Sequence, residues 1–202
     1  LSLWSFFFGL IFASAILICK DVKQWSATTV IGLILGGITS FLIGFLTPAE
    51  AIQALPYLFL CGMLMIIAMI LPGISGSFIL VLLGAYETAL STIDMVRSFE
   101  IQGFINLAAF GLGALVGIKL FARWAEKLFA SARDTLLATM SGFMFGSLYK
   151  VWPWTQQLTS SPTDRSFIIP QISLSNSDFC IGLFFIMLGI STMYAFHRLS
   201  KN

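Results

Sequence analysis

Long apolar runs separated by short polar connections dominate this chain. Six of them approach the length of about 20 residues that a helix needs to cross a membrane. They cover residues 3–19, 27–46, 54–90, 103–120, 135–151 and 179–196. The third run is interrupted at residues 72–77, and as one continuous helix it would measure roughly 55 Å against a hydrocarbon core of about 30 Å. The pattern therefore predicts that residues 54–90 fold back on themselves as a helical hairpin.

The interruption reads PGISGS and begins at Pro72. Pro72 has no amide hydrogen to donate, and Gly73 and Gly76 permit sharp turns. Helices broken at membrane depth are tolerated where they line a cavity or pack against protein, and transporters use them to hold substrate. We expect a re-entrant pair of arms, residues 54–71 and 77–90, with lengths of about 27 Å and about 20 Å.

The basic residues support the fold-back, because Lys and Arg concentrate on the cytoplasmic side of membrane proteins. With a hairpin at 54–90, the side predicted to be cytoplasmic receives Lys20, Lys23, Lys119, Arg123, Lys127, Arg133, Arg198 and Lys201. The other side receives only Arg97, Lys150 and Arg165. The connections at 47–53, 91–102 and 152–178 are therefore predicted to be external, the last as an external loop.

Composition agrees with a membrane protein, since 58% of the residues are hydrophobic and only 10% are charged. A net charge of +2 without a basic block gives no indication of a nucleic-acid partner. Cys19, Cys61 and Cys180 lie in apolar runs and indicate neither a disulfide nor a metal site, and no cofactor is predicted. The chain starts at Leu1 inside an apolar run that lacks the features of a signal peptide. We predict a single transmembrane domain, residues 1–202, whose natural chain continues upstream.

The tip of the hairpin has the chemistry of an anion site. Ser75 or Ser77 can cap a helix that starts near residue 77. The free amides of Gly76, Ser77 and Phe78, the positive end of the helix dipole and two hydroxyls then converge. The alternative interpretation is a Pro/Gly kink whose backbone groups are satisfied by neighbouring helices.

Two longer motifs carry a family resemblance. The segment AMILPGISGSFILVLLGAYE at 68–87 is followed by SGFMFGSLYKVWPW at 141–154, and both resemble the PopT-like undecaprenyl phosphate translocases. The resemblance runs through most of residues 30–155. It implies a multi-pass bacterial plasma (inner) membrane transporter, not an enzyme, that returns this lipid carrier for reuse in cell-envelope synthesis. An anionic polyprenyl lipid and membrane lipids would be its partners, and its oligomeric state stays open.

The resemblance also implies a fold and a site. The family has an upstream Pro-Gly-x-Ser-Gly segment, expected on a second hairpin of opposite orientation, that residues 1–202 lack. The chain would thus be an all-α helical bundle forming one half of an inverted repeat. The head-group residues carried over are Pro72, Gly73, Ser75, Gly76 and Ser77, with Glu87 at the end of the motif.

Four further positions are candidates for the lipid head group. Arg123 is the preferred counter-charge because a guanidinium binds phosphate through two parallel hydrogen bonds, although a membrane-anchoring role is the alternative. The GSLYKVWPW match implies capture of head groups by Lys150, Trp152 and Trp154 at the external interface. The alternative for the tryptophans is an ordinary aromatic belt.

Two rival functions use the same interruption. Gly73 to Gly76 also spell Gly-x-Ser-Gly, the nucleophile setting of rhomboid-like intramembrane serine proteases, but a serine nucleophile needs a base. His197, the one histidine, lies in the polar tail at the predicted cytoplasmic edge, whereas Ser75 is expected deeper. A third hypothesis is an ion channel whose re-entrant filter loop is PGISGS. Such a filter lacks a ring of acidic residues in this sequence.

Pairs of glycines four residues apart predict close helix packing. They are Gly32/Gly36, Gly113/Gly117 and Gly142/Gly146. We expect them to pack within the bundle rather than to form a dimer.

Overall fold

A computed structural model of the protein describes residues 1–50, 52, 54–154 and 176–199. Its described elements are helical. They are α1 (Ser2–Lys20), α2 (Ala27–Ile43), α3 (Leu55–Ile70), α4 (Gly76–Leu82), α5 (Tyr86–Arg97), α6 (Ile101–Ser147), a 3₁₀ turn (Leu148–Val151) and α7 (Asn176–Leu199). Three stretches are long and apolar enough to cross a membrane: Ser2–Lys20, Ile101–Val151 and Phe179–Leu199. The predicted all-α polytopic membrane fold is confirmed.

The chain divides into two compact units. Unit 1 comprises Leu1–Phe45 and Asp134–Asn202, and unit 2 comprises Leu46–Arg133. Helix α6 contributes to both, and its backbone leaves helical geometry at Ala132 (φ −144°, ψ 48°), next to the boundary. The non-helical backbone at Ala132 separates two helical segments, one carrying the apolar run predicted at 103–120 and the other most of the run predicted at 135–151.

In unit 1, α2 lies against the end of α6 through glycine. Gly32 faces Thr135, and four residues later Gly36 faces the carbonyl of Thr139, so the two segments run parallel. From the other side, Gly142 and Gly146 face the backbone of α2. A Cβ at these glycines would collide with a neighbouring helix, as small residues at membrane helix interfaces imply. The predicted packing of these two pairs within the chain is confirmed.

In unit 2, α3 and α6 also run parallel. Gly113 faces the carbonyl of Phe59, and Gly117 lies against Met63, four residues further along both helices. The third glycine pair is therefore also confirmed as a packing contact. The topology predicted from the basic residues requires α3 and α6 to start on the same side of the membrane, and a parallel course meets that requirement.

The second arm of the hairpin is shorter than predicted. Helix α4 ends at Leu82, and α5 follows at an angle of 106°. Gly84 makes the bend with φ +64°, and the Ala49 amide donates to the Leu82 carbonyl at 2.8 Å, so the chain before α3 caps the end of α4. The expected external connection at 91–102 is consequently helical up to Arg97.

The predicted external loop at 152–178 falls mostly outside the described residues. Residues 152–154 follow the 3₁₀ turn, and residues 176–178 already belong to α7. Arg165 and Lys201, which entered the charge count, also lie outside the described residues.

Candidate functional site

The PGISGS segment breaks the helix as its sequence predicts. Helix α3 ends at Ile70, and Leu71 leaves helical geometry with ψ 122°. Pro72 has no amide hydrogen with which to continue the helical hydrogen bonds of α3. Gly73 then turns the chain with φ +87°. Ser75 is extended (φ −87°, ψ 121°) and is the N-cap of α4. Five residues, Leu71 to Ser75, therefore separate the end of α3 from the start of α4 at Gly76.

Helix α4 folds back along α3 in an antiparallel register. Gly76 lies against Met65, and an added Cβ would be 2.8 Å from the Met65 carbonyl oxygen. Further along, Leu80 shares a buried cluster with Cys61, near the start of α3. At the far end the Tyr57 hydroxyl donates to the Leu83 carbonyl at 2.6 Å. The hairpin is thus closed by glycine at its tip and by a tyrosine hydrogen bond at its base.

The tip presents hydrogen-bonding groups at the surface. The Ser75 hydroxyl accepts from the Phe78 amide at 3.4 Å and lies 2.9 Å from the Ser77 hydroxyl. Both serines and Gly73 are exposed, whereas Gly76 is buried against α3. The amides of Gly76 and Ser77 come before Ile79, whose amide donates to the Ser75 carbonyl, and so have no acceptor within α4. Two hydroxyls and the first amides of α4 are therefore close together and can donate to one anionic group.

The helix dipole contributes less than the sequence suggested. The predicted arm of 14 residues is a helix of seven, about 10 Å long. Its aligned peptide dipoles are correspondingly fewer. An anion at this tip would be held by the local hydroxyls and amides more than by the dipole of α4.

Glu87 does not lie on the same arm as the serines. It follows the bend at Gly84 and occupies the first turn of α5, where its side chain is exposed. A carboxylate in a first turn interacts favourably with the N-terminal end of its helix. The predicted position of Glu87, about 15 Å along a continuous second arm, is therefore wrong.

Arg123 lies at the level of the break. It is six residues beyond Gly117 on α6, about 9 Å along the axis, while Ile70 is seven residues beyond Met63 on the parallel α3. The buried Phe121 continues the face of α6 that packs on α3. Arg123 points away from that face and is exposed. Arg123 and the hairpin tip therefore lie at about the same height along these two helices, with the Arg123 side chain directed away from α3.

Lys150, Trp152 and Trp154 lie in unit 1, in and just after the 3₁₀ turn. The Lys150 side chain runs beside Gly44 at the end of α2. Trp152 packs edge-on against Phe8 of α1, with ring centroids 5.5 Å apart, and Trp154 packs against Phe179 of α7 at 5.6 Å. Both indoles are half-buried between helices. This placement differs from that of an aromatic belt, whose rings face lipid.

A feature that the sequence did not reveal concerns the indole nitrogens. The Nε1 atoms of Trp152 and Trp154 are buried, and neither has a hydrogen-bond partner among the described residues. Buried tryptophans usually satisfy this donor. No pattern of residue types could have revealed these two unpaired donors, because they depend on how the rings pack.

Comparison with known proteins agrees with the resemblance. A family model described as undecaprenyl phosphate translocase-like matches residues 1–168. The chain belongs to this family. Its matched region includes the hairpin, Arg123 and the Lys150–Trp154 segment. No solved structure matches the chain.

Two curated relatives of this translocase-like chain are named polyprenyl-phosphate transporters. The protein of Vibrio cholerae serotype O1 (strain ATCC 39315 / El Tor Inaba N16961) is 33% identical over 177 residues, which are 88% of this chain and 56% of the relative. The protein of Staphylococcus aureus (strain NCTC 8325 / PS 47) is 36% identical over 95 residues, which are 47% of this chain and 34% of the relative. The matches thus span about half of the first relative and a third of the second.

Proposed function

We propose that this chain is part of a transporter that moves undecaprenyl phosphate, a polyprenyl monophosphate, across the bacterial plasma (inner) membrane for reuse in cell-envelope synthesis. One observation carries the proposal. The family match extends across residues 72–77, where an apolar helix breaks and exposes two hydroxyls. The two curated relatives bear the name of polyprenyl-phosphate transporters, and neither is named a protease or a channel.

The chemistry of the tip suits such a substrate. A polyprenyl tail stays in the apolar phase throughout, so only the phosphate must be helped across. Moving a charge through hydrocarbon is costly unless protein donors replace its water. We assign this role to the hydroxyls of Ser75 and Ser77 and the amides of Gly76 and Ser77. Pro72 and Gly73 contribute by shaping the turn that brings these donors together.

Two charged side chains are assigned separate roles. Arg123, at the height of the tip, supplies a counter-charge that can hold two phosphate oxygens at once. Glu87, exposed at the start of α5, would bind a proton or pair with a cation during the cycle. Lys150 and the two tryptophans belong to unit 1 and form a separate group with its own role in head-group capture.

The proposal is tested by binding to the purified protein in lipid nanodiscs. Undecaprenyl phosphate should bind more tightly than undecaprenol, because only the phosphate uses the donors of the tip. Ser75→Ala and Ser77→Ala should each reduce this preference by about 1 to 3 kcal/mol. Arg123→Lys should reduce it too, since an ammonium cannot reproduce the fork of a guanidinium.

Ser131→Ala is the matched control for the serine variants. Ser131 is also exposed in unit 2, but its hydroxyl donates to the Lys127 carbonyl of its own helix at 2.9 Å. Its removal should leave binding unchanged. Equal affinity of the parent protein for the phosphate and the alcohol would contradict the proposal.

We also propose that the start of α3 and the turn before α6 are external and that the middle of α6 is cytoplasmic. Single cysteines at positions 94 and 127, in a variant free of the three native cysteines, distinguish the sides. A membrane-impermeant maleimide added outside intact cells should label position 94 and leave position 127 unlabelled. Labelling at 127 from outside would contradict this orientation.

A further inference from the structure

The indole N–H groups of Trp152 and Trp154 are neighbouring buried donors to which the described part of the chain supplies no acceptor. The two ring centroids lie 5.6 Å apart, with the ring planes inclined at 67°. Each Nε1 is shielded from solvent and lacks a partner among the described residues. A buried unpaired donor forfeits the hydrogen bond that it made to water, so two of them side by side require an explanation.

The described surroundings supply apolar contact rather than acceptors. Phe8 and Phe179 pack against the two indoles, and Pro153 between them is buried. The Trp154 ring edge that carries Nε1 faces Gly182, where an added Cβ would be 3.3 Å from that nitrogen. The glycine leaves this edge of the indole without a side chain over it. The arrangement therefore combines two donors with an aromatic wall.

Rotation of either ring would give up aromatic contacts but no hydrogen bond to a described residue. Any acceptor that the indole N–H then meets is a gain. Because both nitrogens are shielded here, a ligand can be bound only after such a rotation.

We propose that Trp152 and Trp154 form a head-group site in unit 1, in which the two indole N–H groups donate to two oxygens of a lipid monophosphate. The aromatic rings around them take the first isoprene units of the tail. A monophosphate fits because it offers several acceptor oxygens and no competing donor when ionised, and a polyprenyl chain matches rings such as Phe8. This inference rests on the proposed function, since it assigns the same lipid class to a second place in the chain.

The experiment removes the donors and keeps the rings. Trp152 and Trp154 are each replaced by 3-benzothienylalanine, in which sulfur takes the position of the indole N–H. Binding of undecaprenyl phosphate, undecaprenol and inorganic phosphate is then measured in nanodiscs. Each replacement should weaken undecaprenyl phosphate binding about fivefold, the equivalent of one net hydrogen bond, and should leave undecaprenol unaffected. The same replacement at the exposed Trp124 is the control and should change nothing.

A second measurement observes the donors directly. In protein labelled with ¹⁵N at the indoles, the Trp152 and Trp154 N–H signals should move downfield with undecaprenyl phosphate but not with undecaprenol. A shift with inorganic phosphate alone would show that the head group suffices without the tail contacts, and would overturn the role given to the rings. If the parent prefers the phosphate while both replacements and both signals are unaffected, this inference fails and the proposed function stands. If the parent shows no preference, the proposed function fails first.

Discussion

Glycine lets helices pack closely in both units, but only in unit 2 do described glycines with positive φ also turn the chain. In unit 1, Gly36 and Gly142 bring α2 and α6 into backbone contact, and in unit 2 Gly113 does the same for α3 and α6. Unit 2 alone adds described glycines with positive φ, Gly73 and Gly84, at the two ends of α4. Close packing and chain reversal are therefore separate uses of one residue type. Only chain reversal, at Gly73, produces a broken helix whose serine hydroxyls are exposed.

The largest effect on stability is expected from replacing a glycine at a helix contact by alanine, in either unit. Gly113→Ala and Gly36→Ala place a methyl group against the backbone of a neighbouring helix and should each destabilise the protein by about 1 to 3 kcal/mol. Gly111→Ala is the control on the same helix as Gly113, because no atom lies within 4 Å of its added Cβ. It should be neutral or stabilising by up to about 1 kcal/mol through helix propensity. Unfolding in detergent measures all three, and equal loss at 111 and 113 would contradict the packing role.

These glycines also show what the sequence could predict. Their spacing was enough to predict close contact, because four residues return to the same face of a helix. The break at Pro72 was equally predictable, since proline lacks a donor and the following glycine accepts a positive φ. Both features are local, and local features are visible in residue types.

The end of α4 and the fate of Glu87 were not predictable in the same way. Residues 83–90 are apolar enough to continue a helix, and the chain bends at Gly84 because the backbone at Ala49, more than 30 residues earlier, meets the end of α4. Similarly, the unpaired indoles of Trp152 and Trp154 depend on rings from α1 and α7. Contacts between segments far apart in the chain determine where α4 ends and how the two indoles pack. Such contacts cannot be read from a single sequence.

A smaller effect is expected at the base of the hairpin in unit 2. Tyr57→Phe removes the hydroxyl that donates to the Leu83 carbonyl at 2.6 Å, at a cost of about 1 kcal/mol. Because this bond joins the end of α4 to the start of α3, hydrogen exchange at the amides of α4 should accelerate about fivefold while α2 in unit 1 is unaffected. Tyr194→Phe, at an exposed tyrosine of α7 in unit 1, is the control. Equal acceleration in α2 and α4 would show that the effect is not confined to the hairpin.

The smallest expected effect on stability is the difference between removing the serine N-cap of α2 in unit 1 and removing that of α4 in unit 2. Ser26 caps the 17-residue α2, accepts from the Thr29 amide at 3.3 Å and bonds the hydroxyls of Thr28 and Thr29. Ser75 caps the seven-residue α4 through an exposed bond of 3.4 Å. Ser26→Ala should therefore cost about 1 kcal/mol of stability, and Ser75→Ala about half as much.

Binding should rank the same two variants in the opposite order. Ser26 is bonded within its own cap and lies in unit 1, so its loss should leave the preference for undecaprenyl phosphate over undecaprenol intact. Ser75 stands at the exposed tip, where its hydroxyl and that of Ser77 can exchange their local hydrogen bonds for bonds to a phosphate. Unfolding should show that Ser26→Ala loses more stability than Ser75→Ala. Nanodisc binding should show that Ser75→Ala loses more of the preference for undecaprenyl phosphate than Ser26→Ala. If Ser75→Ala instead loses more stability than Ser26→Ala and retains full preference for the phosphate, the serine of the broken helix is a cap and nothing more.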